Sequence, residues 1–173
     1  MDFREKLIRI EEAARWRDRM AREGRRVVAT NGCFDILHLG HALYLQAARA
    51  LGDCLLVGVN SDDSVRRIKG PGRPINPEAD RAGLVAALGC VDAVTIFSEP
   101  NALRLIELVR PDVYVKGGDY TIDTINQEER RLAERLGGEA RVLPGIEGRS
   151  TSEIIRRAIA AFSPPGEGPA RRP

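Results

Sequence analysis

Residues 30–41 read TNGCFDILHLGH and come directly after the apolar run RVVA at 26–29. The apolar run predicts a β-strand, and the glycine-containing stretch after it predicts a loop that leads into a helix. The two histidines of this stretch, His38 and His41, are the only histidines in the chain, and they flank Gly40. Residues three apart share one face of a helical turn, so we expect both imidazoles together just beyond the first strand.

The rest of the chain repeats this alternation of strand and helix. Further strands are predicted at 54–59, 92–97, 112–117 and 140–144, and helices at 40–51, 77–88, 101–109, 127–136 and 151–162. This order favours an α/β fold, a Rossmann-like open parallel sheet with helices on both faces. We expect a single domain over 25–162, an N-terminal helical extension over 1–24 and a disordered tail over 163–173. Asp2 and Glu5 have capping-box spacing, which predicts that one helix opens the extension.

Composition narrows the class of protein. The chain has 173 residues, of which 43% are hydrophobic and 30% charged, with a net charge of only +2. Proteins that coat nucleic acid need a larger basic excess, and an aromatic content of 5% offers no stacking platform for bases. We therefore expect no nucleic-acid partner. The charged N-terminus has no secretory signal and no apolar run is long enough to span a bilayer, so we expect no membrane partner either. Three cysteines without metal-type spacing favour a reducing cytoplasm.

The loop at 30–35 and the histidine pair suit phosphate chemistry. Gly32 lets the backbone approach a ligand, and the start of the following helix offers free N–H groups and a positive dipole to an anion. Imidazole N–H donors stabilise the charge that grows on phosphoryl oxygens during displacement. Two alternatives stay open at this point. The histidines have no ligand, or they belong to a zinc site, although no further His or Cys completes a ligand set.

The segment GVNSDDSVRRIKGPGRPINPEADR at 58–81 adds positive charge after the second predicted strand. We interpret it as a loop that clamps an anionic substrate, because arginine binds phosphate through two parallel hydrogen bonds. Asn60 and Asp62 at its start are placed near a ribose or a base. Its cations are Arg66, Arg67, Lys69, Arg73 and Arg81. A solvated loop with ordinary surface charge is the alternative.

Two shorter segments complete the candidate site. In VKGGDY at 115–120, two glycines after a strand permit close approach of a flat ligand, and Asp119 is an acceptor for a hydroxyl or a base. In EGRSTSEII at 147–155, hydroxyls, free N–H groups and the Arg149 guanidinium stand at the start of the last predicted helix and suit a triphosphate. Ser150 and Glu153 also have capping-box spacing, so a plain helix cap explains the same residues.

These motifs resemble a known family. HLGH resembles the HxGH signature of the nucleotidyltransferases related to class I aminoacyl-tRNA synthetases, and the whole stretch TNGCFDILHLGH is similar to their cytidylyltransferase-like branch. The segments RIKGPGRPINPEADR, VYVKGGDYT and EGRSTSEII, in this order, resemble the heptose 1-phosphate adenylyltransferases, including the adenylyltransferase domain of ADP-heptose synthases. The resemblance runs from about residue 26 to about residue 158. The chain departs from the pattern at Ser152 and in the segment TIDTINQEERRL after VKGGDY.

The resemblance implies a reaction. ATP would give AMP to D-glycero-β-D-manno-heptose 1-phosphate by in-line attack at the α-phosphorus, with Mg²⁺ on the phosphates and release of pyrophosphate. It also implies a homodimer or higher homo-oligomer and a separate heptose kinase in the same pathway. The first alternative is an enzyme like glycerol-3-phosphate cytidylyltransferase, which uses CTP. The second is a non-catalytic nucleotide-binding module.

The resemblance and the segments above assign the site residues in three groups. The catalytic residues are His38, His41, Lys69 and Arg73. The nucleotide-binding residues are Thr30, Asn31, Gly32, Cys33, Phe34, Asp35, Gly40, Asn60, Asp62, Lys116, Gly117, Asp119, Arg149, Ser150, Thr151 and Ser152. The residues that bind the phosphate of the sugar are Arg66, Lys69, Arg73 and Arg81.

Overall fold

The computed structural model of the protein describes residues 2–118, 120–146 and 148–162. Asp119 and the predicted tail at 163–173 lie outside these ranges. Five strands form one sheet in the order β3-β2-β1-β4-β5, and each neighbouring pair is parallel. The strands are β1 (Val27–Gly32), β2 (Cys54–Asn60), β3 (Ala93–Phe97), β4 (Val113–Gly118) and β5 (Glu139–Pro144). The predicted open parallel sheet is therefore confirmed.

The α-helices of the described residues flank this sheet. They are α1 (Ala13–Arg22), α2 (Leu39–Arg49), α3 (Asp62–Lys69), α4 (Glu78–Ala86), α5 (Leu103–Val109), α6 (Gln127–Arg135) and α7 (Thr151–Phe162). The segment between the strand predicted at 54–59 and the helix predicted at 77–88 was interpreted as a loop, and this was wrong for its first part, where α3 lies. Its start is capped by Ser61, whose Oγ accepts a hydrogen bond from the Ser64 amide at 3.2 Å.

The N-terminal segment is not the single helix that the sequence predicts. Two 3₁₀ turns, Phe3–Lys6 and Ile10–Glu12, precede α1. Asp2 does cap the first turn, since its carboxylate accepts from the Arg4 amide at 2.9 Å. Between the turns the backbone is diverted to the sheet, where the Ile8 amide donates to the Val94 carbonyl at 2.9 Å. Bonding to the edge strand β3 thus replaces the hydrogen bonds of a continuous helix.

Apolar side chains cover both faces of the sheet. Along each strand, successive side chains point to opposite faces, so Val28 and Ala29 enter different cores. One core joins the sheet to α1, α5 and α6 and contains Trp16 and Ile106. The other joins it to α2 and α4 and contains Leu45. No helix of the described residues is long and apolar enough to cross a bilayer.

The strand order also determines where a ligand can bind. The chain builds β1, β2 and β3 in one direction across the sheet and then returns to place β4 on the other side of β1. The loops after β1 and β4 therefore leave the sheet in opposite directions and open a crevice between them. At this point Gly117 lies against the ring of Tyr44, where an added Cβ would be 2.3 Å from Tyr44 Cε2.

Candidate active site

A cavity of about 660 Å³ lies at the carboxyl ends of β1 and β4. All four predicted segments contribute to its wall, so the fold brings them together. The predicted site residues that line it are Asn31, Gly32, Cys33, Phe34, Asp35, His38, Gly40, His41, Asn60, Lys69, Arg73, Lys116, Gly117, Arg149, Ser150, Thr151 and Ser152. Lining residues that the sequence analysis missed include Tyr44, Asn101, Tyr120, Asn126 and Glu129.

The two histidines form a stacked pair at the start of α2. His38 is the N-cap residue with an extended backbone, and His41 belongs to the first turn. Their ring centroids are 3.8 Å apart with the planes inclined by 20°, and Phe34 packs its edge against His41. Gly40 makes this packing possible, because a Cβ there would lie 3.0 Å from His38 Cε1 and from Arg149 Cβ. The loop before α7 is thereby brought directly beside the imidazoles.

The surroundings of both imidazoles favour their neutral form. Burial, followed by the charge of the neighbouring His38, lowers the pKa of His41 from 6.5 to about 4. Burial and the charge of Arg149 also lower the pKa of His38. The Nδ1 atoms of both rings are buried and have no hydrogen-bond partner among the described residues. Buried polar atoms are almost always hydrogen-bonded, so these two unpaired atoms on cavity-lining residues make the pair a candidate for ligand contact.

The α7 end of the cavity brings together groups that suit an anion. Ser150 caps the helix, since its Oγ accepts from the Glu153 amide at 3.1 Å, as the capping-box spacing predicts. Thr151 and Ser152 follow in the first turn, and all three hydroxyl residues line the cavity together with Arg149. The free N–H groups and the positive end of the helix dipole therefore face the same space as the histidine pair.

Asp35 has a structural partner set that the sequence did not show. Its buried carboxylate pairs with the Arg73 guanidinium and accepts from the backbone amides of Ile75 at 2.7 Å and Asn76 at 3.0 Å. Protein donors therefore hold both oxygens of this carboxylate. Asp35 fixes the turn that carries Arg73 against the loop after β1, and Arg73 still reaches the cavity wall.

Arg81 requires a correction, because it does not face the cavity. Its guanidinium is 0% exposed in a buried site between three loops. Asp62, predicted to contact the nucleotide, is the ion-pair partner of Arg81 at 2.8 Å. The backbone acceptors are the carbonyls of Cys33, Asn60 (2.7 Å) and Asn76 (2.9 Å). Arg81 thus ties the loops after β1 and β2 to the start of α4 instead of offering a charge to the sugar phosphate.

Two more predicted residues lie away from the cavity wall of the described structure. Thr30 is buried in β1, and its hydroxyl is 2.6 Å from the hydroxyl of Tyr44. Arg66 is exposed on α3 and pairs with Asp63 at 2.5 Å. Thr30 therefore holds Tyr44 through a hydrogen bond between the two hydroxyls, and Arg66 lies on the solvent-exposed face of α3. Asp119 was also predicted, but it falls outside the described residues.

Glu129 and Tyr114 form a polar network in the floor of the cavity. Tyr114 Oη lies 2.7 Å from both Asn31 Oδ1 and Glu129 Oε2. Lys116 Nζ donates to the same two oxygens, at 2.9 Å to Asn31 and 3.0 Å to Glu129. Burial, followed by the charge of Glu129, raises the pKa of Tyr114 well above its usual value, so the phenol stays protonated. In the sequence, QEERRL only indicates a solvated helix face, and nothing distinguishes Glu129 from Glu128.

Comparison with known proteins agrees with this geometry. The family model described as cytidylyltransferase-like matches residues 29–157. The chain is 50% identical over 141 residues to "Bifunctional protein HldE" of Syntrophotalea carbinolica, covering 82% of this chain and 28% of that protein. It is 55% identical over 132 residues to the protein of the same name from Streptomyces coelicolor, covering 76% and 28%. The chain thus spans little more than a quarter of the length of these relatives.

Two solved structures share the fold. The lipopolysaccharide core biosynthesis protein from Thermoplasma volcanium superposes with a TM-score of 0.59 at 31% identity, covering 71% of this chain and 98% of that one. Pantoate-β-alanine ligase from Francisella tularensis gives a TM-score of 0.55 at 13% identity, covering 87% and 76%, and supports the fold alone. Because the family model matches well over half of its residues, the chain belongs to the cytidylyltransferase-like family.

Proposed function

We propose that this chain transfers AMP from ATP to D-glycero-β-D-manno-heptose 1-phosphate and so forms ADP-heptose and pyrophosphate. The observation that carries the proposal is the stacked His38–His41 pair at the helix start, in a cavity that Lys69, Arg73 and Arg149 also line. The similarity to bifunctional HldE proteins and to a lipopolysaccharide core biosynthesis protein supports the sugar as acceptor.

The reaction is a single displacement at phosphorus. A phosphate oxygen of the sugar attacks the α-phosphorus of ATP, and the bond to the bridging oxygen of the β-phosphate breaks as pyrophosphate takes the electron pair. The nucleophile is already ionised near neutral pH, so no general base is needed. The work of the protein is positioning and charge stabilisation. Histidine N–H donors meet the growing charge on the α-phosphate, and the cations of the cavity offset repulsion between two anionic reactants.

Mg²⁺ belongs to this scheme as part of the substrate. It prefers oxygen ligands and usually binds through nucleotide phosphates with few protein contacts. Among the described lining residues, the carboxylates are Asp35 and Glu129, and protein donors hold both. We therefore expect the ion to enter on the phosphates of ATP, where it neutralises the leaving pyrophosphate.

The wider setting follows from the same proposal. The sugar phosphate must come from a kinase reaction. We expect the enzyme to work in the cytoplasm, where ATP is available, and to form a homodimer or a higher homo-oligomer. Neither a membrane nor a nucleic acid takes part in the proposed reaction.

The test is pyrophosphate release with Mg²⁺, using ATP or CTP against heptose 1-phosphate or glycerol 3-phosphate. The expected result is release with ATP and the heptose phosphate only, and loss of release in His41→Asn with ATP binding retained. Release with CTP and glycerol phosphate would instead establish the cytidylyltransferase alternative that the family description allows. ATP binding without release in any of the four mixtures would favour a non-catalytic nucleotide-binding module.

A further inference from the structure

The floor of a cavity that binds phosphates holds a buried carboxylate. Glu129 is 3% exposed and lines the same cavity as Lys69, Arg73 and Arg149. A negative charge at this depth repels an anionic ligand and is costly to desolvate unless it is fully paired. Glu129 is therefore not expected to contact a bound phosphate directly. Its role must come from the protein groups to which it is hydrogen-bonded.

The partners of Glu129 account for both of its oxygens. Oε1 accepts from the amide of Ala102, the N-cap residue of α5, at 2.8 Å. Oε2 accepts from Lys116 Nζ at 3.0 Å and lies 2.7 Å from the hydroxyl of Tyr114. The carboxylate is thus saturated with protein donors and is not placed to act as a base. Its Oε1 caps the start of α5. Its Oε2 pairs with Lys116, the only cation within ion-pair distance among the described residues.

Lys116 is held on two sides and open on a third. Its Nζ donates to Asn31 Oδ1 at 2.9 Å and to Glu129 Oε2 at 3.0 Å. An ammonium group has three N–H donors, so one remains. Lys116 lies near the end of β4, immediately before Gly117, and its side chain is 18% exposed and lines the cavity. The oxygens of Asn31 and Glu129 accept two of the three N–H donors of Lys116, and the third N–H is free to bind a ligand.

We propose that Glu129 is a positioning residue that fixes the Lys116 ammonium so that its free N–H binds a phosphate oxygen of a substrate. This inference rests on the proposed function. A free lysine loses considerable side-chain entropy when it binds a ligand, and Glu129 removes that cost before the substrate arrives. Either ATP or the sugar phosphate can supply the oxygen, and kinetics with each substrate varied separately distinguishes the two.

Glu129→Gln separates the two tasks of the carboxylate. The amide oxygen can still accept from Ala102, while the charge that holds Lys116 is lost. We expect kcat/KM to fall at least about tenfold, the ratio that 1.4 kcal/mol gives, with the rise in KM confined to the substrate whose phosphate Lys116 contacts. Glu128→Gln, one residue earlier and exposed, is the matched control and should leave both KM values unchanged.

The Lys116→Met background tests whether Glu129 acts through the lysine. If it does, adding Glu129→Gln to Lys116→Met produces no further rise in KM. A purely structural role at α5 predicts the same additional loss in both backgrounds, and that result would overturn the inference. Wild-type kinetics in Glu129→Gln would overturn it as well.

A second measurement does not depend on turnover. Acetic anhydride labels free amines, and mass spectrometry reads the rate at each lysine. We expect labelling of Lys116 to rise several-fold in Glu129→Gln, while the exposed Lys69 serves as the internal reference and keeps its rate. Equal rates at Lys116 in both proteins would refute the inference. A wild type that makes no pyrophosphate but shows the protected Lys116 would refute the proposed function alone.

Discussion

The sequence predicted that Arg81 contacts the substrate, whereas the structure shows it buried and joining the segments after β1 and β2 to the start of α4. Replacing Arg81 with methionine tests this structural role. Methionine retains most of the apolar stem but none of the donors. The change leaves the Asp62 carboxylate without its cation and three backbone carbonyls without a donor. The loops after β1 and β2 and the start of α4 would then lose the group that joins them.

The size of the effect follows from these contacts. Removing one partner of a buried ion pair costs about 3–5 kcal/mol, and each buried acceptor left unsatisfied costs about 1–3 kcal/mol. Asp62 is 27% exposed, so water recovers part of the loss. The costs overlap, because the relaxed loops share whatever water enters. We therefore expect a loss of about 3–5 kcal/mol in unfolding free energy, or about 6–20 °C in Tm for a chain of this size.

Urea unfolding and thermal melts of the wild type, Arg81→Met and Arg66→Met make the comparison. Arg66 is the matched control, because it is exposed and pairs only with Asp63 in the described structure. Its replacement should change stability by no more than about 0.5 kcal/mol. Arg81→Met could instead melt like the wild type and raise KM for the sugar phosphate. Arg81 would then be a substrate contact, as the sequence predicted, and its structural role would be wrong.

Three further predictions concern the histidine pair and the crevice. His41→Asn should lower kcat about 10²–10³-fold while calorimetry shows little change in ATP affinity, because the contact strengthens in the transition state; the opposite pattern would exclude that role. The pKa of His41 falls from 6.5 to about 4 on folding, so its contribution to stability is complete above pH 6.5 and is lost as the pH drops towards 4. Urea midpoints should therefore fall more steeply over this range in the wild type than in His41→Asn, and parallel curves would contradict the assignment. Gly117→Ala would place a Cβ 2.3 Å from Tyr44 and should cost about 1–3 kcal/mol in melts, whereas Gly72→Ala, with nothing within 4 Å, should cost far less; equal melting temperatures would show that Tyr44 moves freely.

The sequence predicts the sheet well because burial on two faces leaves a simple pattern. Each strand is a short apolar run bounded by glycine or polar residues, and each of the five helices predicted after residue 40 begins and ends within about three residues of its observed bounds. The helix α3 was missed because it has only eight residues and its apolar face consists of Val65 and Ile68 alone, which is too short a pattern to indicate a helix. The N-terminal segment was misjudged because its bonding to β3 is a tertiary contact, which local spacing does not encode.

The same distinction explains which site residues could be predicted. Some are indicated by local sequence, and others depend on contacts with residues far along the chain. Residues directly after β1, β4 and β5 were found because parallel strands deliver their carboxyl ends to one edge, and a motif there is a local signal. Arg81 and Glu129 were misjudged or missed because a buried charge is recognised only by its partners. Arg81 has its acceptors in three loops, and Glu129 has its lysine on β4. A cation that is fully buried among protein acceptors, as Arg81 is, holds the wall of the cavity, whereas a paired cation that keeps a donor free, as Lys116 does, can still bind a ligand. Residue type and spacing are the same for both, so the partner set decides which arginine or lysine contacts substrate.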